Sequence, residues 1–390
     1  MIEKIVIHVL SPSVGLKAFN FLSAWLQSKN APTYKKTITI EHVDHIGVRE
    51  PNTVYILFSN MPEELTVNTE DYDLVLFSNS DEPLTVATDV IVQHLHKPNC
   101  HLISNSFLTE DHTLYKSVIP CSHDLFLSNH YWTNPAYPQY HTHRTVASDI
   151  VGNFVFVNGE NRSWRQHFMT LLIDALPDVK MLSNVSDVVN ETNEAAWESQ
   201  EDRVFRQQVN AQYNAIPLYT SDHQHLHDIE VGLSIDLSIE GIDSHTSMIY
   251  PGYFILPEFY QYKCVTFPET QWQNNEVALT EKLLKCAFAK SIPWPVGGSN
   301  INKLYNQLGF KTAWNLLPEE HQQWDSILDH DVRYRKQILA MKWLHSNTQV
   351  LYSSEAEQLI KHNTNSMFNH NIMSITVEKL WQTITGSKQL

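Results

Sequence analysis

The chain has 390 residues, of which 42% are hydrophobic and 18% charged. At about 150 residues per domain this is a globular composition with enough length for two cores, in no need of a metal or disulfide staple. Acidic residues outnumber basic ones 43 to 27, a net charge of −16, which excludes wholesale binding to nucleic acid or anionic membrane but not a local basic pocket.

Only 11 glycines are present, less than half the average usage of about 7%, so a glycine-rich repeat is also excluded. The four cysteines, Cys100, Cys121, Cys264 and Cys286, are widely spaced and form no C-x-x-C. They argue against a disulfide framework or structural zinc and for a reducing, cytoplasmic setting. The first ten residues are too short and acidic for a signal peptide, and no run approaches 18 apolar residues.

In chain order, 5–10 is an apolar run followed by Ser11-Pro12-Ser13, and Val14, Ala18, Phe19, Leu22, Trp25 and Leu26 then recur at helical spacing. This predicts a strand, a loop and a helix. Further apolar runs at 54–58, 74–77, 101–103 and 125–127 predict the strands of a parallel sheet buried on both faces. Ser-Asn closes four of these runs, at Ser59-Asn60, Ser78-Asn79, Ser104-Asn105 and Ser128-Asn129, and recurs at Ser183-Asn184. Turn and N-cap chemistry accounts for the repeat, and a ligand crevice at the strand ends is the other reading.

Residues 131–144 carry Pro135, Pro138 and two histidines with little periodicity, as an interdomain linker would. The pattern then restarts. A strand is predicted at 154–157, a turn at Asn158-Gly159, a helix through Trp164, Phe168, Leu171, Leu172, Ala175 and Leu176, a stop at Pro177, and a strand at 179–182. From residue 280 a helical face (Leu283, Leu284, Ala287, Phe288) leads to a proline-bearing edge or strand at 292–296. Gly297-Gly298-Ser299-Asn300 follows, then a helix through Ile301, Leu304, Tyr305 and Leu308. Gly309 stands where a helix C-cap glycine belongs, with Phe310 as its apolar partner. Helices at 332–344, 355–361 and 377–384 complete the chain.

No G-x-G-x-x-G, Walker loop, G-x-S-x-G or H-E-x-x-H occurs, which removes the ordinary dehydrogenase, NTPase, hydrolase and zincin readings. His223, His225 and His227, flanked by Asp222 and Asp228, have the spacing of a transition-metal site. In a chain with 21 histidines the bland reading, a solvated loop, is preferred and no metal is expected.

The sharpest signal is Thr280-Glu281-Lys282-Leu283-Leu284 followed by Ser291-Ile292-Pro293-Trp294-Pro295-Val296-Gly297-Gly298. With Thr280 as N-cap, Glu281 and Lys282 lie in the first turn of a helix, where free N–H groups and a positive dipole end suit a diphosphate. Lys282 adds a compact charge, and Glu281 suits ribose hydroxyls better than phosphate. A second helix start at 297–301 offers further amides. The opposing reading is an ordinary capped helix.

Together with Leu308-Gly309-Phe310-Lys311-Thr312, these residues resemble the donor half of the fucosyltransferase-like glycosyltransferases, most closely the glycosyltransferase-like proteins of large marine phages. The pattern continues through Asp325, Asp329 and Arg333. The resemblance is firmest over 250–343, looser over 158–165, and faint in the first half. It implies an α/β protein of two Rossmann-like domains facing a cleft (GT-B). Residues 1–145 would bind the acceptor, 150–345 would bind a UDP- or GDP-linked sugar, and helices in 346–390 would pack back on the first domain.

By the same resemblance Lys282 and Arg165 hold the diphosphate, with Arg162 the competitor of Arg165, and Glu281 lies near the ribose. Thr280, Glu269, Gly297 and Gly298 complete the donor site. The family carries Glu-Asn after a phenylalanine, whereas Phe267-Pro268-Glu269-Thr270 stands here, leaving donor base and sugar open. The general base of an inverting transfer would be a carboxylate before a proline on a loop of the first domain. Asp81-Glu82-Pro83 fits, with Glu82 favoured over Asp81.

The expected function is metal-independent, inverting transfer of a sugar to a hydroxyl acceptor without a further cofactor. The acceptor is a glycan or, less in keeping with the charge, a modified base of phage DNA. No membrane partner is expected, and host cytoplasm is the expected location if the protein is viral. A degenerate transferase fold acting as a binding or virion-associated module is the alternative.

Overall fold

The computed structural model describes residues 3–9, 39–43, 47–60, 67–79, 95–104, 106–108, 118–120, 150–158, 163–183, 257–269, 276–278, 280, 282–368, 382–384 and 386. The first half contributes β1 (Lys4–Val9), β2 (Thr39–Val43), β3 (Thr53–Asn60), β4 (Leu74–Asn79), β5 (Cys100–Ser104), β6 (Ser106–Leu108) and β7 (Val118–Pro120). Six of these form one parallel sheet in the order β2-β1-β3-β4-β5-β7. Ile5, Ile7, Val54, Ile56, Leu57, Leu74 to Phe77 and Leu102 are all but sealed from solvent. Strands apolar on both faces need cover on both, which is why these runs are unbroken and do not alternate.

The second half contributes β8 (Gly152–Asn158), α1 (Ser163–Ala175), β9 (Lys180–Ser183), α2 (Pro257–Gln261), β10 (Tyr262–Pro268), β11 (Glu276–Ala278), α3 (Lys282–Ala289), β12 (Ile292–Val296), α4 (Ile301–Gln307), α5 (His330–Ser346) and α6 (Ser354–Phe368). Its sheet, also parallel, runs β12-β10-β8-β9. In each half the first strand lies between the second and the third, with the fourth beyond the third. The chain therefore folds as two Rossmann-like α/β halves, as expected.

β12 is the edge strand its prolines predict. Pro293 and Pro295 cost no ladder bond on the open side, and Gln337 of α5 covers that edge by donating from Nε2 to the Pro295 carbonyl at 2.9 Å. α4 closes in a Schellman motif: Gly309 (φ +84°) donates its N–H to Asn306 and Phe310 donates to Tyr305, at 3.0 and 2.8 Å. A left-handed residue at this point favours glycine, and Phe310 is fully buried behind it.

One expectation is corrected in part, and one strand was missed. The helices in 346–390 were expected to pack on the first half; the last of them, expected at 377–384, lies mostly outside the described residues. α6 docks instead on the second half, where Asn363 both accepts from the Lys311 N–H (2.8 Å) and donates to its carbonyl (2.7 Å), and Thr364 donates to Ala287 of α3 at 3.1 Å. The turn after Gly309 leaves a backbone donor and acceptor at Lys311 that the Asn363 amide satisfies in both senses, and this fixes α6 there. β10, the strand beside β8, escapes the apolar-run reading because Lys263 and Thr266 interrupt it.

The two halves also share a ribbon. β6, one residue beyond β5, pairs antiparallel with β11, Ser106 opposite Ala278. The exit from β5 and the entry to Thr280 are thereby tied together.

Candidate functional site

In an open parallel sheet a ligand binds beyond the carboxyl ends of the strands, at the point where strand order reverses. In the second half that point lies between β8 and β10, whose carboxyl ends carry Asn158 and, just past β10, Glu269. Asn158 is 1% exposed and Glu269 0%. A carboxylate sealed this completely needs hydrogen bonds and an opposite charge, and Glu269 has both.

Its N–H donates to the Val296 carbonyl of β12 (2.8 Å), and its own carbonyl accepts from Arg165 Nη2 (2.9 Å). One carboxylate oxygen accepts from the Thr280 hydroxyl at 2.7 Å and the other from the Tyr305 hydroxyl of α4. Lys282, the first residue of α3, places Nζ 2.8 Å from Thr280 Oγ1 and 3.8 Å from the Glu269 carboxylate. Arg165, Glu269, Thr280 and Lys282, four of the residues singled out from sequence, thus meet in one network.

The network sums to two positive charges against one negative, a local basic spot in a chain of net −16. Arg165 is enclosed (2% exposed), its guanidinium carbon 5.3 Å from the centre of the Trp164 ring. Lys282 keeps 18% of its side chain open to solvent. The ammonium has three N–H donors, and the bond to Thr280 uses one.

Thr280 has a different duty from the cap expected of it. Its hydroxyl donates to Glu269 and accepts from Lys282, so it links the carboxylate to the ammonium.

At the second helix start two of the expected amides, those of Asn302 and Lys303, are already bonded. Gly297 and Gly298 lie buried in the turn after β12. Asp325, 1% exposed, accepts from the N–H groups of Asn302 (3.1 Å) and Lys303 (3.2 Å) and from Asn302 Nδ2 (2.8 Å). Asn300, in the left-handed region at φ 61°, makes no side-chain cap, so Asp325 does the capping from a distance. Burial pushes the Asp325 carboxyl above the ordinary carboxylate value, opposed by the bonds from Asn302 and Lys303.

Asp329 and Arg333 are structural too. Asp329 caps α5 by accepting from Val332 N (2.9 Å), and Arg333 holds the carbonyls of Ile327 and Leu328 at 2.6 and 3.0 Å.

Glu82, Asp81, Arg162, Glu281 and the cluster His223, His225 and His227 lie outside the described residues. Among those described, no group of three or more His, Cys, Asp or Glu could hold a metal ion, and no helix is long and apolar enough to cross a membrane. Cys100, Cys264 and Cys286 are buried free thiols. Burial pushes the Cys100 thiol up to about 11, and it pushes those of Cys264 and Cys286 well up too.

Tyr305, Asn302 and Asp325 carry polar contacts that sequence reasoning missed. The available signal was a phenol on the otherwise aliphatic face Ile301, Leu304, Leu308.

No protein-family model and no curated protein sequence matches the chain. Among solved structures it is similar to an α1,3-fucosyltransferase, at 12% identity and a TM-score of 0.45 over 98% of this chain and 90% of that one. It is similar to a glycosyltransferase from Rickettsia africae ESF-5, at 10% identity and a TM-score of 0.46 over 99% and 98%. It is also similar to a trehalose-6-phosphate protein from E. coli bound with UDP-2-fluoro glucose, at 11% identity and a TM-score of 0.43 over 99% of each chain.

Proposed function

We propose that the chain is a nucleotide-sugar-dependent glycosyltransferase of the two-Rossmann type, its second half holding the donor and its first half the acceptor. The observation that carries this reading is the convergence of Arg165 and Lys282 at the carboxyl edge of the second sheet, at its switch point. A diphosphate docked there meets the Lys282 ammonium directly, with the permanent charge of Arg165 behind it. The resemblance of the segment around Thr280 and Lys282 to a donor half points the same way.

The chemistry follows from the charges. At the sugar carbon the transition state is oxocarbenium-like, and negative charge grows on the departing diphosphate. Fixed cations stabilise that charge without a metal. Inversion asks for one carboxylate to take the acceptor proton, a role assigned to Glu82 with Asp81 as its neighbour. The acceptor is a hydroxyl of a glycan, in keeping with the net charge of −16; a DNA base would ask for a basic channel.

A thermal-shift panel of UDP, GDP, CMP and dTDP sugars tests the reading. A true donor at 100 times its Kd stabilises by about 2.7 kcal/mol, and stabilisation by none of the four overturns it. Transfer should also persist in EDTA; loss on chelation and recovery with manganese would overturn the metal-free part.

A further inference from the structure

The Glu269 network fixes more than a place in the sheet. The carboxylate is shut off from solvent, so it cannot itself reach a sugar or a ribose. What it touches instead are the groups that set the position of Lys282. We propose that Glu269 is a positioning residue: a buried carboxylate that, through the Thr280 hydroxyl, holds the Lys282 ammonium at the point where a diphosphate docks. The proposal rests on the donor-site reading above.

Hydrogen-bond polarity gives the network a single sense. An ammonium only donates and an ionised carboxylate only accepts, so a hydroxyl bonded to both must point its hydrogen at the carboxylate. Thr280 Oγ1 stands in that position, 2.8 Å from Lys282 Nζ and 2.7 Å from Glu269. Tyr305, fully buried on α4, closes the other side of the carboxylate. Its ring fixes Glu269 against the first turns of α4, while the Glu269 backbone is pinned by Val296 and Arg165. The carboxylate therefore cannot follow Lys282, and Lys282 cannot leave without stranding a buried charge.

A lysine at a helix start ordinarily samples many rotamers and gives up that freedom on binding. Held in advance, it binds an anion with less ordering still to do. The exposed part of its side chain marks where the anion arrives.

An alternative role has the opposite sign. Were Glu269 a stand-in that competes with phosphate for Lys282, removing its charge would tighten anion binding. Calorimetric titration of the full chain with UDP, GDP, the parent nucleosides and inorganic pyrophosphate separates the two. Glu269→Gln should weaken the nucleoside diphosphate that the parent binds, and pyrophosphate with it, by about tenfold, leaving nucleoside affinity unchanged. Lys282→Ala should cost clearly less when combined with Glu269→Gln than in the parent, because the two act as one unit.

Unchanged or tighter diphosphate binding by Glu269→Gln overturns the proposal, as does an equal loss for nucleoside and diphosphate, which is what general damage to the fold produces. If that variant does not fold, Tyr305→Phe decides: it keeps the ring, and it should show the same diphosphate-selective loss in smaller measure, whereas unaltered binding overturns the proposal. A parent that binds neither nucleotide nor pyrophosphate overturns the donor-site reading together with this one. A parent that binds while the variants bind equally well overturns this one alone.

Discussion

At Gly152 the second sheet has room for a hydrogen and nothing larger. A Cβ there would lie 2.4 Å from Cε1 and 2.9 Å from Cδ1 of Tyr262, its partner across the β8–β10 ladder. The Tyr262 ring is 8% exposed and has the Lys180 ammonium 5.8 Å from its centre. Overfilling a packed site of this kind costs about 1–3 kcal/mol. Gly152→Ala should therefore lower the unfolding free energy from chemical denaturation by that amount, and Tyr262→Leu in the same chain should recover part of the loss. An equal loss in both backgrounds would show that ring contact is not the cause. Residue identity was a good guide to which side chains the fold brings together wherever charge and position coincided, as at Arg165 and Lys282. It said nothing of Tyr305, because a phenol at a helical core position reads as packing until the carboxylate it meets is known.

Elements were legible in proportion to how uniformly apolar they are. The unbroken runs of β1, β3, β4 and β8 announce strands buried on both faces, and the 3.6-residue spacing of α1, α3 and α4 announces helices. β6, β7 and β11 have three residues each, too few for any periodicity, and what places them is pairing with distant chain. The same holds for the start of α4, which looks like an anion site until Asp325 is seen to bond two of its amides. Asp325→Ala should leave the Asn302 and Lys303 N–H groups and the Asn302 amide short of an acceptor. A lost cap costs about 1 kcal/mol and a buried orphan donor about 1–3 more, so unfolding should occur several degrees lower. A melting temperature within a degree of the parent would refute the capping role. For the β6–β11 ribbon the register is the test. Ser106 and Ala278 face each other across the ladder, and directly opposed Cα atoms lie at about 4.5–5.5 Å, within disulfide range. Ser106→Cys with Ala278→Cys should crosslink on oxidation and stabilise by about 2–4 kcal/mol, since the bridge closes a long loop. Failure to crosslink would contradict the register.

The whole molecule repeats one device. Each half puts its first strand between its second and third, so each sheet has a reversal point at its carboxyl edge, and the ribbon joins the strand leaving one edge to the segment entering the other. Fixed cations stand at the edge of the second half; on the proposed reading an anion leaves there while Glu82, outside the described residues, takes a proton. Lys282→Ala and Glu82→Gln divide those duties. On the proposed reading Lys282 meets the diphosphate in the ground state and more strongly as negative charge grows on it. Losing one partner of a desolvated charge pair costs on the order of 2–5 kcal/mol, and each 1.36 kcal/mol is tenfold in rate. Turnover of Lys282→Ala should fall roughly 30-fold or more and nucleotide affinity should fall with it. Its melting temperature should drop by more than a surface change would allow, because Glu269 is left buried without its cation. With Glu82 as the proposed base, Glu82→Gln keeps shape and donor affinity but removes that base, so nucleotide should still bind while transfer collapses. A protein that binds nucleotide and turns nothing over with either residue intact would be a binding module built on a transferase fold. Unimpaired transfer by both variants would move the reaction to other residues.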